Sequence, residues 1–416
     1  MVTKTHTLIL ADDLTGANDT AIQFRKCGFS TLVVTRIAQA DSVCFEDYEV
    51  IAINTDSRSM HSGDAYRVTH DTVKAFKLAK NCFVVYKKVD SLLRGNPGQE
   101  LAAVIEAMAT PLALVAPSFP ANRSILEHGR LPSGADAVRI FADGSGCKTE
   151  NIPLETIRQG ASSVASFIHS RNSKGTQVFV ADAVNDADLG TIYAASTCLE
   201  KPHILTGSAG LANQIARNLC KAADSKKENP AAVSLTPVLV VAGSRQEETV
   251  TQILMLSQHL SIPIIRFKVS WVMEGKSNEA IKQAQTEAVE LMRHSIPACI
   301  IAVESMFHAE NGDSVNQQYT EGNALGKAIS GALGMLTRKL FDDFHFSLLV
   351  STGGDTSMGI CQHLEISGLE PLMEICSGIP LSRMVGNVYN GRFMITKSGR
   401  FGEPDTLIKI FEHINE

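Results

Sequence analysis

Ser347-Leu348-Leu349-Val350 runs directly into Ser351-Thr352-Gly353-Gly354-Asp355-Thr356, and the reading of the fold turns on this stretch. An apolar run without polar alternation is a strand covered on both faces, as in a parallel sheet. The glycine cluster and the helix-like residues after it complete a strand, loop, helix unit. The same unit recurs at residues 7–10 before Ala11-Asp12-Asp13-Leu14-Thr15-Gly16, at 203–205 before Thr206-Gly207-Ser208-Ala209-Gly210, and at 237–241 before Ala242-Gly243-Ser244. Apolar runs at 82–86, 112–116, 178–180 and 298–303 supply further strands. The expected class is α/β: two α/β domains with largely parallel sheets, and ligand sites at the carboxyl ends of strands facing an interdomain cleft.

The chain has 416 residues, room for two or three domains at about 150 residues each. Residues 226–236 are polar, contain Pro230 and lack an apolar period, so they read as a linker between domains at 1–225 and 237–416. Hydrophobic residues at 44% and charged residues at 20% exclude wholesale disorder. With 38 Lys and Arg against 44 Asp and Glu, the net charge is −6, and no global positive field draws the protein to nucleic acid or anionic lipid. An anionic ligand must be held locally. The nine cysteines form no CxxC, which argues against a zinc ribbon or redox dithiol. They are expected to be isolated buried thiols in a reduced, cytoplasmic protein. The apolar run near Met1 is too short for a signal-peptide core, and no stretch approaches the ~20 apolar residues that cross a bilayer.

Asp12-Asp13 leaves the first strand directly and precedes Thr15, a good helix N-cap. Adjacent residues of an extended segment point to opposite sides. One carboxylate then faces a ligand while the other serves backbone or a metal ion, unless one acid only caps the helix. Lys87-Lys88-Val89-Asp90-Ser91-Leu92-Leu93-Arg94-Gly95-Asn96 packs three cations, an acid and a hydroxyl beside an apolar strand. An arginine fork suits a carboxylate and a lysine supplies a compact charge. The segment reads as an anion clamp, with Asp90 and Ser91 on polyol hydroxyls; a solvated basic loop is the competing reading. Asn54-Thr55-Asp56-Ser57-Arg58 follows residues 50–53 in the same manner and adds a cation.

In the second half, Gly353 and Gly354 let backbone N–H groups approach an anion, and the helix start adds positive partial charge. Asp355 beside a phosphate calls for a divalent cation or a hydroxyl proton between them; otherwise it is an acidic cap. Lys397-Ser398-Gly399-Arg400-Phe401-Gly402 lies between strand-like residues 393–396 and a helix near Glu403-Pro404-Asp405. It suits a nucleotide, with Lys397 or Arg400 near phosphates and Phe401 against a base or ribose, or it is a plain turn. Gly243-Ser244 is a third candidate phosphate loop. A Walker loop is excluded because Ser270 stands where Gly275-Lys276-Ser277 needs its first glycine, and no GxGxxG after a strand, GxSxG or HExxH occurs.

Taken in order, Ala11-Asp12-Asp13-Leu14-Thr15-Gly16-Ala17, Lys88-Val89-Asp90-Ser91 with Arg94-Gly95-Asn96, Pro117-Ser118-Phe119-Pro120-Ala121-Asn122, residues 351–356 and residues 397–402 resemble the four-carbon acid sugar kinases over nearly the whole chain. The resemblance implies a sugar-acid-binding domain over 1–225 and a nucleotide-binding domain over 237–416. It implies ATP-dependent phosphorylation of the terminal hydroxyl of a four-carbon sugar acid, D-threonate first, with D-erythronate or 3-oxo-tetronate as the alternative. ATP and Mg²⁺ are the implied cofactors. Neither nucleic acid nor membrane is an implied partner, and room is left for a homo-oligomer.

Carried over position by position, the resemblance places Asp12, Arg58, Lys88, Asp90, Ser91, Leu92, Leu93 and Arg94 at the sugar acid. It places Ser244, Gly353, Gly354, Asp355, Thr356, Gly399, Arg400, Phe401 and Gly402 at the nucleotide. Asp355 is the expected base or metal contact, Asp12 the rival base, and the metal ligands stay open. The family commonly reads Lys-Ser-Gly-Gly-Phe-Gly in the last loop, and Arg400 here replaces the second glycine; a requirement for positive φ would strain it. Two other classes compete: a sensor that binds nucleotide or sugar acid without turnover, and an aldolase or dehydratase using Lys88 as a Schiff base.

Overall fold

The computed structural model describes residues 6–36, 45–79, 83–220, 235–294, 296–307, 324–386 and 388–414. The linker expected at 226–236 lies outside them except for its last two residues, as do Cys44 and Cys82. The chain divides into two compact units, Met1–Ser225 and Lys226–Glu416.

In the first unit the apolar runs become β1 (His6–Ala11), β2 (Thr31–Val34), β3 (Val50–Asn54), β4 (Phe83–Lys88), β5 (Ala113–Ala116), β6 (Thr149–Ile152), β7 (Val178–Ala181) and β8 (Ile204–Gly207). They lie in the order β2-β3-β1-β4-β8-β5-β7-β6, and every pair is parallel. β1 is central, with Leu8 opposite Ile51 on one side and Val85 on the other. Leu8, Ile9 and Leu10 are fully buried, which is why this run shows no alternation. β1 is also where the strand order reverses direction, the place at which open α/β sheets hold ligands.

The second unit contains β9 (Val238–Ala242), β10 (Ile264–Phe267), β11 (Ala298–Val303), β12 (Leu348–Thr352), β13 (Ile366–Cys376), β14 (Ile379–Gly386) and β15 (Phe393–Lys397). β10-β11-β9-β12-β15 are parallel. β13 and β14 form an antiparallel hairpin whose second strand joins β15. That hairpin is the one departure from the expected parallel pattern. Its strands carry Pro371 and Pro380 and register shifts near Gly368, Met373 and Cys376, features of a bulged, irregular pair.

The seven cysteines of the described residues are all free, but only Cys299 and Cys361 are buried; Cys198 and Cys220 are exposed. The expectation of buried thiols therefore holds for two, whose thiols burial pushes up to about 12. Among the described residues no helix is long and apolar enough to cross a membrane.

Helices cover the sheets at close range where glycines permit. Helix Ala324–Asp343 and helix Gly354–His363 touch so tightly that a Cβ on Gly334 would lie 2.3 Å from the Gly359 carbonyl oxygen. Backbone cannot retreat as a flexible side chain can. Gly334→Ala is expected to lower stability by about 1–3 kcal/mol, as overpacking does, measured as a reduced urea midpoint.

Candidate active site

Three loops at the carboxyl ends of the adjacent strands β3, β1 and β4 bring the first group of residues together. Asp13, not Thr15, caps the helix Leu14–Lys26: its side chain accepts from Gly16 N at 2.9 Å, and Thr15 Oγ1 donates to it at 2.6 Å. Nor do the two carboxylates diverge. Arg58 donates from Nε and Nη2 to Asp12 at 2.7 and 2.9 Å, and from Nη1 and Nη2 to Asp13, both at 2.8 Å. One planar fork spans both acids because its donors point along two edges.

Asp90 receives the Arg94 fork at 2.9 and 2.8 Å and the N–H groups of Leu92 and Arg94 at 3.1 and 3.3 Å. Arg58 Nη2 stands 3.8 Å from the same carboxylate. Burial opposes ionisation of Asp12 and Asp90, but the arginines and Lys88 outweigh it, and both carboxyls sit below the usual range. The three acids in turn hold Arg58 well above its ordinary value against the effect of burial.

Lys88 is 4% exposed. A Cβ on Gly16 would lie 2.9 Å from its Nζ and 2.5 Å from Asp13 Oδ1, so glycine leaves the space that the ammonium occupies. Among the described residues Lys88 Nζ makes no hydrogen bond or ion pair, although its charge acts on both Asp12 and Asp90. Ser91 and Leu92 are half-buried beside it. Leu93 is buried at φ 59°, and its side chain belongs to the core. The Ser91 carbonyl accepts from Ser124 Oγ at 2.8 Å, tying the long loop after β5 to this group.

Beneath the group lies a buried pair. Lys87 and Glu100, 0% and 1% exposed, are 2.7 Å apart, and Glu100 also accepts from Ser57 Oγ at 2.6 Å, one residue before Arg58. Burial raises the Glu100 carboxyl despite Lys87. Sequence reading counted Lys87 among the cations of the clamp, while the resemblance placed only Lys88 at the sugar acid; what separates the two had a signal that the reading did not use. The signal was strand alternation: Lys87 and Lys88 are successive residues of β4 and emerge on opposite faces.

In the second unit, the loops after the adjacent parallel strands β9, β12 and β15 meet. A Cβ on Gly243 would lie 2.0 Å from Thr356 Oγ1, one on Gly399 2.0 Å from Ser244 Oγ, and one on Gly353 3.3 Å from Ser244 Cβ. Gly353, at φ 98°, precedes the helix Gly354–His363, whose N-terminus carries no side-chain cap. Asp355 lies in the first turn and is not the cap. Uncapped first-turn N–H groups are donors suited to a phosphate.

Lys397 is fully buried, and its Nζ donates to the carbonyls of Ser398 and Phe401 at 2.9 and 3.0 Å. It supports the glycine loop from within, which corrects the expectation that it reaches phosphate. Arg400 is exposed and donates from Nε to Gln246 Oε1 at 3.0 Å. Gly402 is left-handed at φ 88° while Arg400 is not, so the arginine carries no backbone strain. Phe401 is half-buried. The helix that follows is Thr406–His413; Asp405 stands at its N-cap position without a side-chain capping bond, and Pro404 lies just before it rather than in its first turn. Among the described residues no three His, Cys, Asp or Glu side chains cluster to hold a metal.

Two outcomes follow for the first unit. Lys87→Met, which leaves Glu100 buried without its partner, is expected to cost about 3–5 kcal/mol, with much of the loss recovered in the Lys87→Met, Glu100→Leu double variant; urea unfolding measures both. Asp12 and Asp90 have depressed folded-state values, so their stabilisation is present above the ordinary 3.8 and is lost as pH falls below it. Asp90→Asn should therefore flatten the decline of the urea midpoint with acidification.

A family described as a sugar-binding N-terminal domain matches residues 7–139 and 127–215, and one described as a nucleotide-binding C-terminal domain matches 239–407. A D-threonate kinase of Salmonella typhimurium is 27% identical over 98% of both chains, and one of Bordetella bronchiseptica is 29% identical over 98% of this chain and 97% of that one. A D-erythronate kinase of Heliobacterium modesticaldum is 25% identical over 98% of this chain and 96% of its own. A solved structure from Salmonella typhimurium LT2 shares the fold, with a TM-score of 0.78 at 20% identity over 98% of this chain and 99% of that one. Both halves being matched in order, the chain belongs to the four-carbon acid sugar kinase family and is a sugar-acid kinase.

Proposed function

We propose that the chain transfers the γ-phosphoryl group of ATP to the terminal hydroxyl of D-threonate, giving 4-phospho-D-threonate. The observation that carries the reading is Lys88, a residue 4% exposed whose ammonium has no protein acceptor among the described residues while its charge acts on Asp12 and Asp90. A cation on a largely buried side chain and lacking a protein acceptor calls for an anionic one, and nearby carboxylates keep lone pairs for hydroxyl donors. A small hydroxylated carboxylate meets both needs. The choice of D-threonate rests on the relatives that carry that name at 27% and 29% identity. D-erythronate and 3-oxo-tetronate, named for relatives at 25% and 27% identity, are the competing substrates.

In this reading Lys88, with the partly exposed Arg94 fork, holds the substrate carboxylate, while Asp12, Asp90 and Ser91 orient its hydroxyls. Leu92, half-buried, shapes the wall beside them, with Leu93 packed into the core behind it. Arg58 keeps Asp12 ionised and holds both carboxylates in place. Both Asp12 oxygens already accept from Arg58, which makes Asp12 a weak proton acceptor. Asp355, at the uncapped helix start, is then the base or metal contact in this reading. The N–H groups around Gly353, Gly354 and Thr356, with Ser244 and the loop Gly399–Arg400–Phe401–Gly402, hold the ATP phosphates.

Mg²⁺ is commonly held by one or two carboxylates together with phosphate oxygens, so Asp355 alone at the phosphate loop fits it, and the ion would neutralise charge on the transferring group. The rest is alignment of the hydroxyl with the γ-phosphorus, which phosphoryl transfer chiefly requires. The seven cysteines of the described residues are free, two of them exposed, which supports a reducing cytoplasmic setting.

A panel of four-carbon acids with ATP and Mg²⁺, followed by ADP release, tests the reading; ligand binding without ADP release would identify a sensor instead. Asp355→Asn is expected to lower turnover by more than about tenfold, the scale of acid–base and charge-positioning groups. Lys88→Met should raise KM for the sugar acid roughly ten- to a hundredfold, the worth of one charge-assisted hydrogen bond, with KM for ATP little changed. A sugar-acid KM unaltered in that variant removes Lys88 from the site.

A further inference from the structure

In the last glycine loop, the carbonyl oxygens of Ser398, Gly399, Phe401, Gly402 and Glu403 accept hydrogen bonds from buried side chains. Lys397 Nζ donates to Ser398 O, Gly399 O and Phe401 O at 2.9, 3.4 and 3.0 Å. From the helix Glu247–Leu260, Thr249 Oγ1 donates to Gly399 O at 2.7 Å. Gln252 Nε2, on the same helix, reaches Phe401 O, Gly402 O and Glu403 O at 3.1, 3.2 and 2.9 Å. Lys397, Thr249 and Gln252 are all fully buried. These are core groups spent on a surface loop.

A trans peptide is planar, with each carbonyl antiparallel to the next residue's N–H. Holding the carbonyls of Ser398, Gly399 and Phe401 inward turns the N–H groups of Gly399, Arg400 and Gly402 outward. None of those three donates to any group among the described residues, whereas Phe401 N closes a turn onto Ser398 O at 3.1 Å. The outward face adjoins Ser244, against which Gly399 is packed.

We propose that Lys397, Thr249 and Gln252 are positioning residues for the ATP phosphates: they clamp the loop carbonyls from inside, and the clamp fixes an outward row of peptide N–H donors. The inference rests on the kinase reading above and extends it to residues that never touch the ligand. It also explains the cost accepted in burying an ammonium: burial lowers Lys397 to about 7, with Glu248 as the charge that opposes the shift. Deprotonation removes one of its donors, and the clamp loosens on the alkaline side.

The test begins with wild-type affinity for ATP and for inorganic tripolyphosphate by calorimetry, then steady-state kinetics of variants. Thr249→Val keeps shape but loses the donor, so KM for ATP should rise about tenfold, the effect of leaving a buried acceptor unmade, with KM for the sugar acid unmoved. Thr249→Ser should restore it. Gln252→Leu should act like Thr249→Val, and both should weaken tripolyphosphate, which has no base or ribose. In wild type, KM for ATP should climb as pH rises above about 7, and in Lys397→Met it should be high and flat. Wild-type ATP affinity in both Thr249→Val and Gln252→Leu, or impairment in Thr249→Ser equal to that in Thr249→Val, overturns the clamp while leaving the kinase reading intact. Absence of ATP and tripolyphosphate binding by the wild type overturns both, and is separable because it precedes any substitution.

Discussion

One guanidinium joined to two adjacent carboxylates holds the first unit's site in shape. Arg58 comes from the loop after β3, Asp12 and Asp13 from the loop after β1, and their four hydrogen bonds lie between 2.7 and 2.9 Å. Such an array is worth its desolvation only when nearly every donor and acceptor is matched. The surroundings follow from that demand. Asp13 spends its remaining capacity on the helix start, Gly95 lies so near Arg58 that a Cβ would sit 3.2 Å from its side chain, and Gly16 makes room for Lys88. The buried Lys87 and Glu100 pair, through Ser57, fixes the backbone from which Arg58 departs.

In the proposed reading the second unit meets the opposite electrostatic problem with different material. A chain of net charge −6 has no surplus of cations to meet a polyphosphate. It offers main-chain donors instead, at an uncapped helix start and in glycine loops pressed against Ser244 and Thr356. Main-chain donors bring partial charges without a desolvation cost as large as an ammonium's. The Lys397 ammonium stays inside, where burial lowers it to about 7.

Much of this was legible in the sequence, for a physical reason. Strands buried on both faces need uninterrupted apolar runs, so β1, β3, β9, β11 and β12 announced themselves, and the chemical residues at their carboxyl ends came with them. The hairpin of β13 and β14 did not, because prolines and bulges broke its pattern. The orientation of neighbours was harder. Asp12 and Asp13 were read as facing apart, and a long two-edged side chain 45 and 46 residues away brings them to one partner. Lys397 was read with Arg400 as one of two alternatives for reaching phosphate, since nothing local tells whether a lysine at a strand end points to ligand or to core. Thr249 and Gln252, about 150 residues from the loop they hold, carried no local signal at all.

The same arrangement bears on how freely this sequence can change. Where recognition belongs to peptide groups, the identity of an outward side chain is nearly silent, and Arg400 occupies a habitual glycine position with ordinary backbone angles. Substitutions should accumulate on the visible rim of such a loop and be purged from the unseen threonine, glutamine and lysine behind it. Surface variability there is then no guide to importance.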